Sequence, residues 1–326
     1  MKRPLAPNQP HNSDALADRV LEGDVRAAGR LISMAENEPL KIRHPIRRLF
    51  PHTGKIQIVG VTGAPGVGKS TLVDQLVELL RARGQSVGVI AVDPTSPFTG
   101  GAILGDRIRM QRHGTDTGVF IRSMATRGRL GGLARGTSDS ITVLEAMGKE
   151  IVIVETVGVG QDEVEVAKYA HTTVVMLIPG AGDDVQAMKA GVMEIGDCFV
   201  INKADREGAD MALKQVQSVL ALKEFGEEEW RPPVIRTVAT TGEGLDELLE
   251  ILDQHYKHFV ATGELERFHL AKCRTDFLAV LEETLSRYVL DEVLSDGALD
   301  QLVASIASRE TDPYTAADEI LARLKA

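Results

Sequence analysis

Lys69 and Ser70 close the run Gly63-Ala64-Pro65-Gly66-Val67-Gly68-Lys69-Ser70, a combination suited to holding a chain of phosphates. Glycines let backbone N–H groups converge on a β-phosphate, and a helix starting at the lysine adds its positive end. The lysine then reaches the β- and γ-phosphates, and the Ser70 hydroxyl, followed by Thr71, is a ligand for Mg²⁺. Glu155, in Glu155-Thr156-Val157-Gly158, is a carboxylate that can hold the same ion through water, and Gly158 offers a backbone N–H to the γ-phosphate. Asp93 stands either to hold Mg²⁺ or its waters or to cap the turn before Pro94, and Asp106 follows in a long loop. The expected metal set is therefore Ser70, Asp93, Asp106 and Glu155, and the expected catalytic set Lys69, Asp106 and Glu155.

The base is read by Asn202-Lys203-Ala204-Asp205. Asp205 can accept from guanine N1–H and the exocyclic amine, whereas adenine has no matching donors. Asn202 is expected on the O6/N7 side, Lys203 along the base, and the backbone of Ala239 and Thr240 closing over the guanine. GTP or GDP with Mg²⁺ is the cofactor this set implies. Arg107, Arg109 and Arg112 form either a solvated face or a source of one arginine for the γ-phosphate. The glycine-rich stretch from Thr126 to Gly136 reads equally as a surface loop or as a second nucleotide-sensitive loop. Asp183 and Asp184, after Gly180 and Gly182, read as helix-capping residues in a third such loop.

These residues need strands to position them, and most fall just after one. Short apolar runs are expected as strands at Ile56 to Val61, Ser86 to Val92, Val119 to Ile121, Ile151 to Val154, Thr173 to Ile178, Cys198 to Ile201 and Val234 to Thr237. Helical patterns alternate with them, the signature of a mostly parallel sheet covered on both faces, which binds ligands at the carboxyl ends of its strands. The fold class is α/β, with a P-loop domain at 55–260 between an N-terminal helical extension at 1–54 and a C-terminal helical region at 261–326. Within the extension, helices are expected on either side of Gly23-Asp24, and the basic run Lys41 to Arg48 is a connector that could dock on an acidic partner. Leu270, Phe277, Leu278, Leu281 and Leu285 recur at helical spacing in one long helix from Glu264 to about Leu294, and Asp312-Pro313 starts a last helix.

With 326 residues, 43% of them hydrophobic, the chain can bury a large core. The net charge of −10 argues against nucleic acid or an anionic membrane as a general partner. No apolar run approaches a membrane span, and a cytoplasmic protein is expected. Cys198 and Cys273 are too few for a disulfide framework and are each expected as small buried side chains.

The phosphate run, the Asp93-Pro94-Thr95-Ser96 strand end, Glu155-Thr156-Val157-Gly158-Val159-Gly160-Gln161 and Asn202 to Asp205, with helices on both sides, resemble the methylmalonyl-CoA mutase-associated GTPases of the MeaB/ArgK family. Glu155 departs from the Asp that most P-loop GTPases carry, and Gln161 lies three residues beyond Gly158 rather than directly after it. The resemblance implies a slow GTPase that gates cofactor loading of an adenosylcobalamin-dependent mutase, methylmalonyl-CoA mutase in the first place, and protects it in turnover. It also implies a homodimer through the C-terminal helices. The alternative is a kinase that passes the γ-phosphoryl to a small molecule or protein.

Overall fold

The structure, a computed structural model, describes residues 12–93, 111–125, 132–156, 162–180, 190–294 and 297–325. The chain divides into two compact units, 1–268 and 269–326.

The first unit is built on a seven-stranded parallel sheet of β1 (Gln57–Gly63), β2 (Val87–Asp93), β3 (Val119–Ala125), β4 (Ile151–Glu155), β5 (Thr172–Leu177), β6 (Cys198–Asn202) and β7 (Val234–Thr237), in the order β3-β2-β4-β1-β5-β6-β7. The central strands are apolar on both faces because both are covered. Val59 and Val61 of β1 pack with Leu72, Leu76 and Leu80 of α4 (Lys69–Ala82), while Ile58 belongs to the core of the opposite face. That opposite core contains the N-terminal helices α1 (Asn12–Leu21), α2 (Val25–Asn37) and α3 (Arg43–Leu49), together with α5 (Gly132–Ala146). Glu145 of α5 fixes the lead-in to β1: its Oε1 accepts from the backbone N–H groups of Gly54, Lys55 and Ile56 at 2.6, 2.5 and 2.9 Å.

Among the described residues, two short elements lie between β4 and β5: α6 (Asp162–Glu165) and a 3₁₀ turn, Val166–Lys168. Gly60 makes room for that turn. A Cβ there would lie 2.6 Å from Val166 Cγ2 and 2.9 Å from Ala170 Cβ. Beyond β5, α7 (Ala190–Glu194) and α8 (Ala209–Leu220) bury Val192, Ala212 and Val216 around Phe199 of β6. After β7 comes α9 (Leu245–Ala261), which places Leu248, Leu249 and Leu252 in the core shared with α4.

Three expectations need correction in this unit, the first being the loop expected from Thr126 to Gly136, whose last five residues open α5 instead. Lys41 to Arg48 is not a plain connector: α3 occupies most of it, because Ile42, Pro45 and Leu49 recur at helical spacing beneath the basic residues and are buried. β3 runs four residues past Ile121, its polar end supported from α2, where Arg122 Nη2 donates to Ser33 Oγ at 3.0 Å and pairs with Glu36 at 3.3 Å.

In the second unit α10 (Glu264–Tyr288), which begins before the division at His269, ends in a π-helical turn, Val289–Val293, rather than continuing as one regular helix. It carries no buried residue, so Cys273 is exposed, against expectation, while Cys198 in β6 is buried. Two helices complete the unit, α11 (Ala298–Ala307) and α12 (Pro313–Lys325). Asp312 caps α12 through Oδ1, which accepts from the N–H groups of Tyr314 and Thr315. No helix among the described residues is long and apolar enough to cross a membrane.

At the sheet end away from the C-termini of its strands, Asp197 and His255 meet. Asp197 Oδ2 accepts from Thr173 N at 2.7 Å, and His255 Nε2 lies 3.5 Å from Oδ1. His255 Nδ1 is 2.8 Å from Thr172 Oγ1, and Trp230 covers the imidazole edge-on. Burial pushes the Asp197 carboxyl up to about 7 against the Thr173 N–H, with Glu264 adding to the rise. Burial holds His255 down at about 4, with the charge of His258 adding to the effect. An acid raised in this way gives its full stabilisation below the unfolded value of 3.8 and loses it as pH rises through about 7. Wild type measured against Asp197→Asn is therefore expected to lose about 2 kcal/mol between those limits, a figure reduced for the exposed third of the side chain. Urea unfolding across the range checks this; a constant difference would remove the shift.

Candidate functional site

The carboxyl ends of β1, β4, β6 and β7 gather most of the described candidates. β1 lies between β4 and β5, with Val61 opposite Glu155 and Gly63 opposite Met176. Gly63 has φ +140°, and a Cβ would overlap the Met176 carbonyl oxygen, so this exit from the strand requires glycine. Gly66 and Gly68 also have positive φ, +80° and +104°, and Gly68 caps α4 where a side chain would collide with the Asn202 amide.

Lys69 opens α4, is buried, and donates through Nζ to Gly63 O at 2.7 Å and Ala64 O at 3.1 Å. The next residue, Ser70, donates through Oγ to Glu155 Oε1 at 2.6 Å, and both side chains are buried. A hydroxyl and a carboxylate side by side at a helix start are hard oxygen donors, the chemistry Mg²⁺ prefers, so this pair fits the ion. Glu155 reaches Ser70 from the last position of β4.

Asn202 ends β6 and is buried. Its Nδ2 donates to Val67 O at 2.8 Å, while Oδ1 accepts from Thr237 Oγ1 at 3.1 Å and Ala239 N at 3.0 Å. Both ends of the Asn202 amide thus tie the phosphate loop to the end of β7. Lys203 adds a second tie, Nζ to Gly66 O at 2.7 Å, from a backbone held at φ +56°. A left-handed conformation at a lysine is uncommon and marks a position fixed by its surroundings. Asp205 and Thr240 are exposed beside these braced residues, and Ala239 is buried. Ala64, Pro65 and Gly66 are exposed at the loop crest, Val67 is buried beneath them, and Thr71 is half-buried on α4.

Asp106, Gly158, Arg107, Arg109, Asp183 and Asp184 lie outside the described residues, as do 126–131 of the second glycine-rich stretch, and Asp93 is described only as the backbone end of β2. Arg112 is an anchor: it pairs with Asp74 at 2.8 Å and Glu78 at 2.6 Å on α4, and His113 Nε2 lies 3.0 Å from Asp74 Oδ1. The sequence reading also passed over Thr62, fully buried before Gly63, whose hydroxyl bonds to Thr156. A hydroxyl residue within an apolar run is the signal the sequence carries. Replacing Asn202 with Ala strands the Val67 carbonyl and the Ala239 N–H, and is expected to cost about 1–3 kcal/mol in urea unfolding. Fluorescent GDP titration is expected to show an affinity loss of at least about tenfold, because the phosphate loop loses its tie to the ends of β6 and β7.

The sequence profile of the methylmalonyl Co-A mutase-associated GTPase MeaB family matches residues 28–293. A putative GTPase of Pyrococcus abyssi is 49% identical over 310 residues, 94% of this chain and 95% of the relative. The GTPase ArgK of Escherichia coli K12 is 36% identical over 261 residues, covering 76% of this chain and 77% of its own length. A solved structure described as LAO/AO transport system kinase superposes with a TM-score of 0.70 at 25% identity, covering 98% of this chain and all of that one. The profile match begins in α2, ends in the π-helical turn after α10 and contains all the strand ends described above: the chain belongs to the methylmalonyl Co-A mutase-associated GTPase MeaB family.

Proposed function

We propose that this GTPase is a Mg²⁺-dependent switch that hydrolyses GTP slowly and serves as a chaperone for an adenosylcobalamin-dependent mutase. The observation that supports the nucleotide reading is the Asn202 brace, which hydrogen-bonds the strand end we assign to guanine to the loop we assign to the phosphates. Lys69 neutralises charge on the β- and γ-phosphates, and Ser70 and Glu155 hold Mg²⁺, with Asp93 and Asp106 as further ligands or catalytic groups. Mg²⁺ supplies charge stabilisation as the γ-phosphoryl departs. Gly158 offers its N–H to the γ-phosphate, and Asp205 with Ala239 and Thr240 receives the guanine.

The partner reading draws on the family description, which names methylmalonyl-CoA mutase. Gating of cofactor loading is the output we assign to the nucleotide cycle, in the cytoplasm. A homodimer through the C-terminal helices is supported by their exposed apolar residues, Leu270, Phe277 and Leu285 among them. The kinase alternative has one observation behind it, the description of the solved relative as a kinase.

Phosphate release from GTP and ATP, with and without an adenosylcobalamin-dependent mutase, tests the reading. GTP is expected to be hydrolysed in preference, and the mutase to change the rate; ATP preference, or transfer of phosphate to a non-water acceptor, would favour the kinase. Asp205→Asn is expected to weaken GTP binding by about 1–3 kcal/mol while leaving ATP binding and the unfolding midpoint unchanged. Lys69→Ala is expected to slow single-turnover hydrolysis by at least about 100-fold. A wild-type rate removes Lys69 from the mechanism.

A further inference from the structure

We propose that Thr62 is a positioning residue for GTP hydrolysis, its hydroxyl fixing Thr156 and Glu163, on either side of the connection between β4 and α6, to the strand that enters the phosphate loop. Thr62 is the penultimate residue of β1 and has no exposed surface. Its Oγ1 donates to the Glu163 carbonyl at 3.2 Å and accepts from Thr156 Oγ1 at 3.0 Å. One proton and one lone pair are thus both in use, each on a different border of the same connection. Thr156 is held a second time, its N–H donating to Val61 O at 3.0 Å.

The rest of this side of β1 is shaped for the same purpose. Side chains two apart on a strand share a face, so Ile58, Gly60 and Thr62 line one side of β1. Each engages the segment 163–171. At the far end Ile58 N donates to His171 Nδ1 at 3.2 Å, and Ile58 O accepts from His171 N at 2.8 Å. In the middle, the missing side chain of Gly60 lets Val166 and Ala170 lie against the strand. Nearest the phosphate loop Thr62 completes the row with a hydrogen bond instead of an apolar contact. A buried hydroxyl is tolerated only where it is bonded, and that of Thr62 is bonded to Glu163 and Thr156.

Glu155 directly precedes Thr156, and its carboxylate accepts from Ser70. Holding Thr156 therefore sets the carboxylate that faces the phosphate-loop serine, while holding Glu163 sets where the connection returns. Residues 157–161 lie outside the described residues; the two bonds are made at their borders, and the inference rests on the GTPase reading above.

The test uses the full chain and three variants, read by single-turnover GTP hydrolysis, fluorescent GDP titration and urea unfolding. Thr62→Val keeps the shape and removes both hydrogen bonds. It is expected to slow hydrolysis by about tenfold while GDP affinity stays within about twofold of wild type, a split that a loss of packing alone does not produce. Thr62→Ser restores the hydroxyl and is expected to recover the rate. An unchanged rate in folded Thr62→Val overturns the inference, as does a parallel loss of GDP binding and hydrolysis. Should Thr62→Val fail to fold, Thr156→Val removes one of the two bonds and is expected to slow hydrolysis by about threefold with GDP affinity retained; a wild-type rate there overturns the inference too. A wild-type protein that releases no phosphate from GTP overturns the GTPase reading and this inference with it, whereas normal wild-type hydrolysis with unaffected variants overturns the inference alone.

Discussion

Everything at the nucleotide end depends on how closely β1 lies between β4 and β5. The register that sets Val61 opposite Glu155 and Gly63 against the Met176 carbonyl leaves no room for a side chain at the strand exit. That exclusion fixes where the phosphate loop begins, and therefore where Lys69 and Ser70 lie relative to Glu155. The apolar packing of α4 on Val59 and Val61 then holds the helix whose first residues are those two side chains. A small slip in this packing would separate Ser70 from Glu155, because a 2.6 Å hydrogen bond has little tolerance for displacement.

Around that exit the structure uses side chains as braces. Asn202 and Lys203 tie the loop to β6 and β7; Thr62 ties its strand to the flanks of the β4–α6 connection; Asp74 and Glu78 tie Arg112 and His113 to α4. The three sets join α4 and β1, which carry the phosphate loop, to segments that enter or leave its neighbourhood. Buried hydrogen bonds of this kind contribute modestly when made and cost more when one partner is lost, so they favour a single arrangement over near alternatives.

The phosphate loop was legible in the sequence because its backbone conformation demands glycine at fixed spacing, a local constraint. The strands were legible from their apolar runs, and the first two helices from period and from Asp24, which caps α2 by accepting from Arg26 and Ala27. What was not legible depends on neighbours distant in the chain. The bonds of Asn202 to Val67 and Ala239 join residues far apart in the chain, and Thr62 reads as one more strand residue. β3 looked short because Arg122 and Ser123 are polar, yet α2 supplies Ser33 and Glu36 as partners for Arg122. α3 was hidden because its basic residues outnumber the buried apolar ones. Cys273 fits an apolar stripe in one dimension but lies on a helix that buries nothing.

The meeting of Asp197 and His255 has a thermodynamic meaning beyond local packing. Between the folded value of His255, about 4, and its ordinary value of 6.5, the folded pair keeps its proton on the carboxyl, while the unfolded chain keeps it on the imidazole. Folding thus relocates one proton from base to acid and exchanges none with the solvent at this pair. In that acidic range the two groups cancel as a source of buffer-dependent unfolding heat, and an acid and a base can stay buried together without making the fold answer to small changes in the acidity around it.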